Sequence, residues 1–195
     1  MKRIRLIRHA ESQANAGHST SDPASIELTE TGWSAAREFA KAYDGPDPDL
    51  IVTSPYCRAQ QTAQPLIERF GCRVEILEVH EFTCLSPARC RNTNSAHRRP
   101  MVEAYWTASN PQACDGEGSE SFEEFLERVK RSIRVLRANG AATILVFSHE
   151  FFINVVRFFD LPGKSSATPE SMRQFHEFSR QNPMANLGIH ELESR

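Results

Sequence analysis

The sequence predicts an α/β fold: a mostly parallel sheet with helices on both faces. Three observations point there. Short apolar runs alternate along the chain with segments of helical spacing, the order that winds parallel sheets. One run, ATILVFS at 142–148, is continuously apolar, as a central parallel strand buried on both faces must be. At 195 residues the chain is long enough for one sizeable core, so a single domain over 1–195 is expected.

Each element has its own signal. KRIRLI, residues 2–7, alternates charged and apolar groups and gives way to a polar loop, so a first strand should end at Arg8. Thr29 to Gly32 leads into WSAAREFAKAY, an alanine-rich helical pattern with Trp33 and Phe39 on its apolar side. GPDPD is a turn cluster, and DLIVTS after it reads as a short buried strand. Pro55 should open a second helix that runs to about Phe70 and stops at Gly71. Pro65 inside it predicts a kink or a break. CRVEIL supplies a third strand.

Residues 80–117 carry little periodicity and many Pro, Cys, Asn and Arg residues. Long irregular segments in compact domains are usually functional, so 82–117 is expected to be a loop/helix insert forming a lid or specificity element. From Ser121 the spacing of Phe122, Phe125, Leu126, Val129, Ile133 and Leu136 is that of an amphipathic helix, closed by Gly140. FFINVVRFF follows the long apolar strand as a helix. Thr168 and Pro169 suit the N-cap and first position of another, and ANLGIHELE alternates like a last strand.

A formal net charge of −2 gives no general attraction to nucleic acid or to an anionic membrane, so an anionic ligand needs a local cluster of cations. The apolar part of MKRIRLIRHAES is too short and too broken by arginine for a signal segment. No stretch has the length to span a bilayer, so a cytoplasmic location is expected. The five cysteines (Cys57, Cys72, Cys84, Cys90, Cys114) are odd in number and lack CxxC spacing, which suits free thiols. A thiol-phosphatase loop fails, because Arg89 follows Cys84 one residue too soon.

In open α/β sheets the ligand lies beyond the carboxyl ends of the strands. The residues found there are Arg8 and His9, Ser54 and Arg58, and Ser148 and His149. Two arginines, two histidines and several hydroxyls at one edge suit a phosphoryl group. Guanidinium matches its oxygens bidentately, and imidazole can attack phosphorus or donate to it.

RHAESQAN resembles the first motif of the histidine phosphatase superfamily, which includes the cofactor-dependent phosphoglycerate mutases. LTETGWSAA, TSPYCRAQQTA, GSESF and VFSHE resemble its later signatures in the same order, together covering roughly 2–63 and 118–150. The resemblance implies a phosphoglycerate mutase-like fold and a metal-independent phosphomonoesterase working through phosphohistidine without a cofactor. It implies that His9 is the nucleophile, that Arg8, Arg58 and His149 form the phosphate pocket, and that Ser12 and Asn15 add polar contacts. Glu81, in VHEFT, sits where the family places its proton donor, with Glu75 and Glu78 in the same stretch.

A small phosphorylated metabolite or a phosphoprotein would be the substrate. Arg98 and Arg99, in a cluster with Arg89, Arg91 and His97, could bind a second anionic group or could simply start a helix around MVEAYW. Metal sites are not suggested: His149-Glu150 begins like a zinc-protease helix, but Ile153 stands where the second histidine belongs. Two positions depart from the family pattern. Ala10 replaces a glycine, and Glu150 places a carboxylate beside a phosphate pocket, where it should repel the ligand unless it points away or pairs with an arginine. Two other readings are a mutase-type phosphotransferase and a weakly catalytic protein that binds phosphorylated ligands or partners. The chain is short for the first. Retention of a nucleophile with an acid argues against the second.

Overall fold

The computed structural model describes residues 2–159 and 166–192. Five strands, β1 (Arg3–Arg8), β2 (Leu50–Thr53), β3 (Arg73–Ile76), β4 (Thr143–Ser148) and β5 (Ile189–Leu192), form one sheet in the order β3-β2-β4-β1-β5. β1, β2, β3 and β4 run parallel, and β5 pairs antiparallel with β1 at one edge. The helices are α1 (Glu30–Ala42), α2 (Cys57–Phe70), α3 (Pro87–Cys90), α4 (Ser95–Ala108), α5 (Phe122–Ala138), α6 (Glu150–Phe159) and α7 (Pro169–Gln181).

β4 shows why its sequence is apolar without alternation. Ile144 and Val146 pack into a core with Phe125, Leu126 and Val129 of α5, Phe152 of α6 and Phe175 of α7. Leu145 and Phe147 face the other way, onto Ala59, Ala63 and Leu66 of α2. Both faces are covered, so every second residue cannot be polar. Burying each large side chain fully contributes about 1.5–3 kcal/mol.

The second helix departs from expectation. α2 continues unbroken through Pro65, and begins at Cys57 rather than at Pro55. The hydrogen bond that proline removes is offset by the burial of Ala59, Ala63 and Leu66 against the sheet. Residues 80–117 combine irregular stretches with α3 and the fourteen-residue α4, in keeping with a loop/helix insert. α4 is capped by Asn94, whose side chain accepts from the His97 N–H, and it buries one residue, Trp106, which stacks on His176 of α7 at 4.7 Å. With only Trp106 fully buried and Val102 and Tyr105 packed beside it, α4 has a short apolar contact that marks its centre around MVEAYW and leaves its start unmarked. The last strand is shorter than its alternating pattern, whose final residue, Glu193, lies outside the described residues.

Candidate active site

Strand register brings the functional residues together. Arg8 pairs with Ser148 and Thr53 with Phe147, so His9, Ser54 and His149 emerge at adjacent positions just past the three strand ends. The rings of His9 and His149 have centroids 5.1 Å apart. Their loops are held by backbone bonds from His9 N–H to the Ser148 carbonyl and from Ser54 N–H to that of Phe147, each 3.0 Å.

The hydrogen bonds of His9 define its tautomer. Nδ1 lies 2.7 Å from the Ala10 carbonyl, which can only accept, so Nδ1 carries the proton. Nε2 is then a lone pair, and it accepts from Arg58 Nε at 3.1 Å. Burial, then the nearby charges of Arg58 and Arg8, hold His9 well below the usual histidine range, although its bond to Ala10 acts the other way. The ring is held neutral, with its lone pair on Nε2.

His149 is treated similarly. Ser54 Oγ accepts from the Tyr56 N–H at 3.1 Å, so its own proton is free to go to His149 Nε2 at 2.9 Å. That leaves the proton of His149 on Nδ1, a buried atom with no partner among the described residues. Burial, Arg58 and His9 keep this ring neutral as well.

Arg58 is 6% exposed, and no carboxylate stands within ion-pair distance of it among the described residues. It donates to His9 and to the Pro23 carbonyl, and its guanidinium lies over the Tyr56 ring at 5.0 Å. A buried cation without a counter-charge is costly unless an anion joins it. Arg8 differs: it donates to the Met184 carbonyl and pairs with Glu150 at 3.1 Å.

Glu81 faces this group from the far side. Its Oε1 accepts from the N–H groups of Phe82 and Phe151, each at 3.0 Å, leaving Oε2 for chemistry. Burial raises its proton affinity above the usual carboxyl range, and Glu150 adds to the rise, while Arg58, the Phe82 bond and Arg8 oppose it. The segment carrying it is clamped from α5. Buried Arg128 pairs with Glu120 and donates to the carbonyls of Glu78 and His80 at 2.9 and 3.0 Å, and Ser148 Oγ donates to that of Val79.

The structure therefore brings His9, Arg58, His149 and Glu81 into one pocket, with Arg8 at its side. Ser12 and Asn15 bond each other, Oγ to Oδ1 at 3.0 Å, and brace the loop after His9. Gly32 permits this arrangement, since a Cβ there would stand 2.0 Å from the Glu11 carbonyl oxygen. Ala10 is fully buried, outside the positive-φ residues, and donates its N–H to Thr62 Oγ1 at 3.0 Å, so a methyl fits where the family pattern has glycine. Glu150 takes the arginine partner that makes its charge tolerable.

Arg98 and Arg99 fall in the first two turns of α4 and line a cleft of about 400 Å³ that also includes Tyr56, Arg58, Glu81 and Val102. Among the described residues, no group of three or more His, Cys, Asp or Glu side chains is placed to hold a metal ion. None of the helices described is long and apolar enough to cross a membrane.

Several supporting residues escaped the sequence reading. Asn186 donates to the His9 carbonyl at 2.7 Å from a stretch with no recognisable signal. Arg128 had one: it lies three residues after Phe125 on the face that α5 buries, where an arginine needs a reason.

The sequence profile of the histidine phosphatase superfamily (branch 1) matches residues 4–176. An adenosylcobalamin/alpha-ribazole phosphatase of Escherichia coli is 29% identical over 171 residues, covering 84% of this chain and 82% of its own. One from Salmonella typhi is 27% identical over 167 residues, with the same coverage of each chain. Among solved structures, the alpha-ribazole phosphatase of Shigella flexneri superposes with a TM-score of 0.72 at 23% identity, covering 98% of this chain and 90% of that one. A phosphoserine phosphatase of Entamoeba histolytica, in complex with 3-phosphoglyceric acid, gives 0.70 at 19% identity, with coverages of 98% and 90%. With the profile running through most of its length, the chain belongs to the histidine phosphatase superfamily, branch 1.

Proposed function

We propose that this phosphomonoester hydrolase works through a phosphohistidine at Nε2 of His9, with Glu81 as proton donor and His149, Arg58 and Arg8 around the phosphoryl group. The observation that carries the reading is the Nε2 lone pair, fixed by the Ala10 carbonyl on the other ring nitrogen and set beside a buried Arg58 with no carboxylate in ion-pair contact among the described residues.

The incoming phosphate takes over the Arg58 Nε donor now on Nε2, which frees the lone pair to attack phosphorus. As the P–O bond breaks, Glu81 gives its proton to the leaving alkoxide. The His149 Nδ1–H and the guanidinium groups bind the equatorial oxygens, where the charge of a loose transition state accumulates. Water then enters, Glu81 takes its proton, and the hydroxide breaks the P–N bond to release inorganic phosphate and neutral His9.

The insert 82–117 forms the lid side of this site. Arg98 and Arg99 bind a second anionic group of a small phosphorylated substrate, such as a carboxylate or another phosphate. The named relatives act on, or are seen with, small phosphorylated compounds, which supports that size class. A cytoplasmic location suits the five free thiols. The test is hydrolysis of an aryl phosphate in EDTA. The wild type should turn over, and His9→Ala should lose about a thousandfold or more of kcat/KM. Full activity in His9→Ala, or loss on chelation alone, overturns the mechanism.

A further inference from the structure

Glu150 borders the pocket, yet the reaction above gives it no task. Its Oε2 lies 3.1 Å from Arg8 Nη2, and its Oε1 accepts from the Met184 N–H at 3.0 Å. The Met184 carbonyl in turn accepts from Arg8 Nη1, so arginine, carboxylate and the backbone of one residue close a ring. The two side chains are 14% and 24% exposed, and both carboxylate oxygens are engaged, so this is a fixed pair rather than a loose surface contact. Arg8 keeps one buried donor, Nε, without a partner among the described residues.

We propose that Glu150 is a built-in counter-ion that sets, through Arg8, how tightly the pocket holds phosphate, and keeps that grip weak enough for product to leave. The proposal rests on the His9 pocket being the phosphoryl site. Glu150 is a positioning residue, because it acts through Arg8 and need not touch the ligand. A pocket with two unopposed guanidinium groups binds every phosphorylated state tightly, product included, and such uniform binding lowers KM without raising kcat. A resident carboxylate beside Arg8 subtracts from that binding across all states. It therefore biases the site toward hydrolysis with release, and away from the long-lived phosphorylated states that a mutase must retain.

The experiment is calorimetric titration with inorganic phosphate, which needs no turnover, on the wild type, Glu150→Gln and Glu150→Asp. Glutamine keeps an acceptor for the Met184 N–H and removes the charge together with the oxygen that accepts from Arg8. Its Kd for phosphate should fall about fivefold or more, the scale of a partly buried charge pair, while Glu150→Asp stays near the wild type. KM for an aryl phosphate should fall in step, with no rise in kcat. Equal or weaker phosphate binding by Glu150→Gln, including no measurable binding by either protein, overturns the proposal. Should glutamine unfold the protein, Glu150→Ala carries the same comparison. Failure of the His9 reading shows separately, as retained hydrolysis in His9→Ala.

Discussion

At the carboxyl ends of β1, β2 and β4, His9, Arg58 and His149 are 4%, 6% and 0% exposed, and each is held by hydrogen bonds to the framework. Across the cleft, Arg99 of α4 is exposed and Arg98 is tethered by a single 3.3 Å bond to Thr20. The first region is positioned by sheet register, where a shift of one residue would turn each side chain away. The second is positioned by a helix that buries one tryptophan. The proposed reading thus puts chemistry that needs sub-ångström placement on the rigid element, and substrate choice on the element that can vary without disturbing the sheet.

The largest effect that sharpens this contrast should come at the seam between the regions. Glu81→Gln should slow alkyl phosphates by about 10²- to 10⁴-fold, the usual worth of a general acid, and leave nitrophenyl phosphate nearly unchanged. Equal losses on both substrates would place the acid elsewhere, with Glu78 the next candidate. Arg128→Met, which leaves partly buried Glu120 unpaired and frees the 78–81 segment, should cost about 2–4 kcal/mol of stability in urea titrations. A change under 1 kcal/mol would mean that the clamp is dispensable.

On the insert side, Arg98→Ala with Arg99→Ala should lower kcat/KM for a substrate with a second anion by about ten- to a hundredfold for each arginine engaged. A small aryl phosphate should be hydrolysed as before. Unchanged kinetics on every substrate would leave the pair as solvated helix-start residues and keep the catalytic reading intact.

The smallest effect concerns pH. His9, His149 and His80 all have proton affinities lowered by burial, His80 to about 4. Each favours the folded state fully above the unfolded value of about 6.5, and that advantage is lost as pH falls toward the folded values. Stability should therefore decline from about pH 6.5 downward. His80→Gln should flatten the slope near pH 5 by up to about 1 kcal/mol per pH unit, after allowance for its partial exposure. An unchanged slope would mean that His80 already titrates normally.

Much of the site was legible because its residues follow strands with strong one-dimensional signals. An uninterrupted apolar run ending at Ser148 and an alternating run ending at Arg8 fix where the chain leaves the sheet, and the motif residues come next. Of α4 only the stretch around MVEAYW was legible, and its start at Ser95 was not, because one buried tryptophan makes no period. Nor was the continuity of α2 through Pro65, which packing on the sheet maintains against the local preference of proline.

What the sequence determined by itself was the alternation of strands and helices and the identity of His9, Arg58, Glu81 and His149 as the residues to watch, since local pattern and family motif are both properties of short segments. Only the tertiary structure decided how those residues are charged and tethered. The Ala10 carbonyl beside Nδ1, the Arg128 clamp under Glu81, the Asn186 amide on the His9 carbonyl and the pairing of Glu150 with Arg8 join positions up to 177 residues apart. Tautomers, proton affinities and counter-ions depend on burial and on distance in space, and neither follows from separation along the chain.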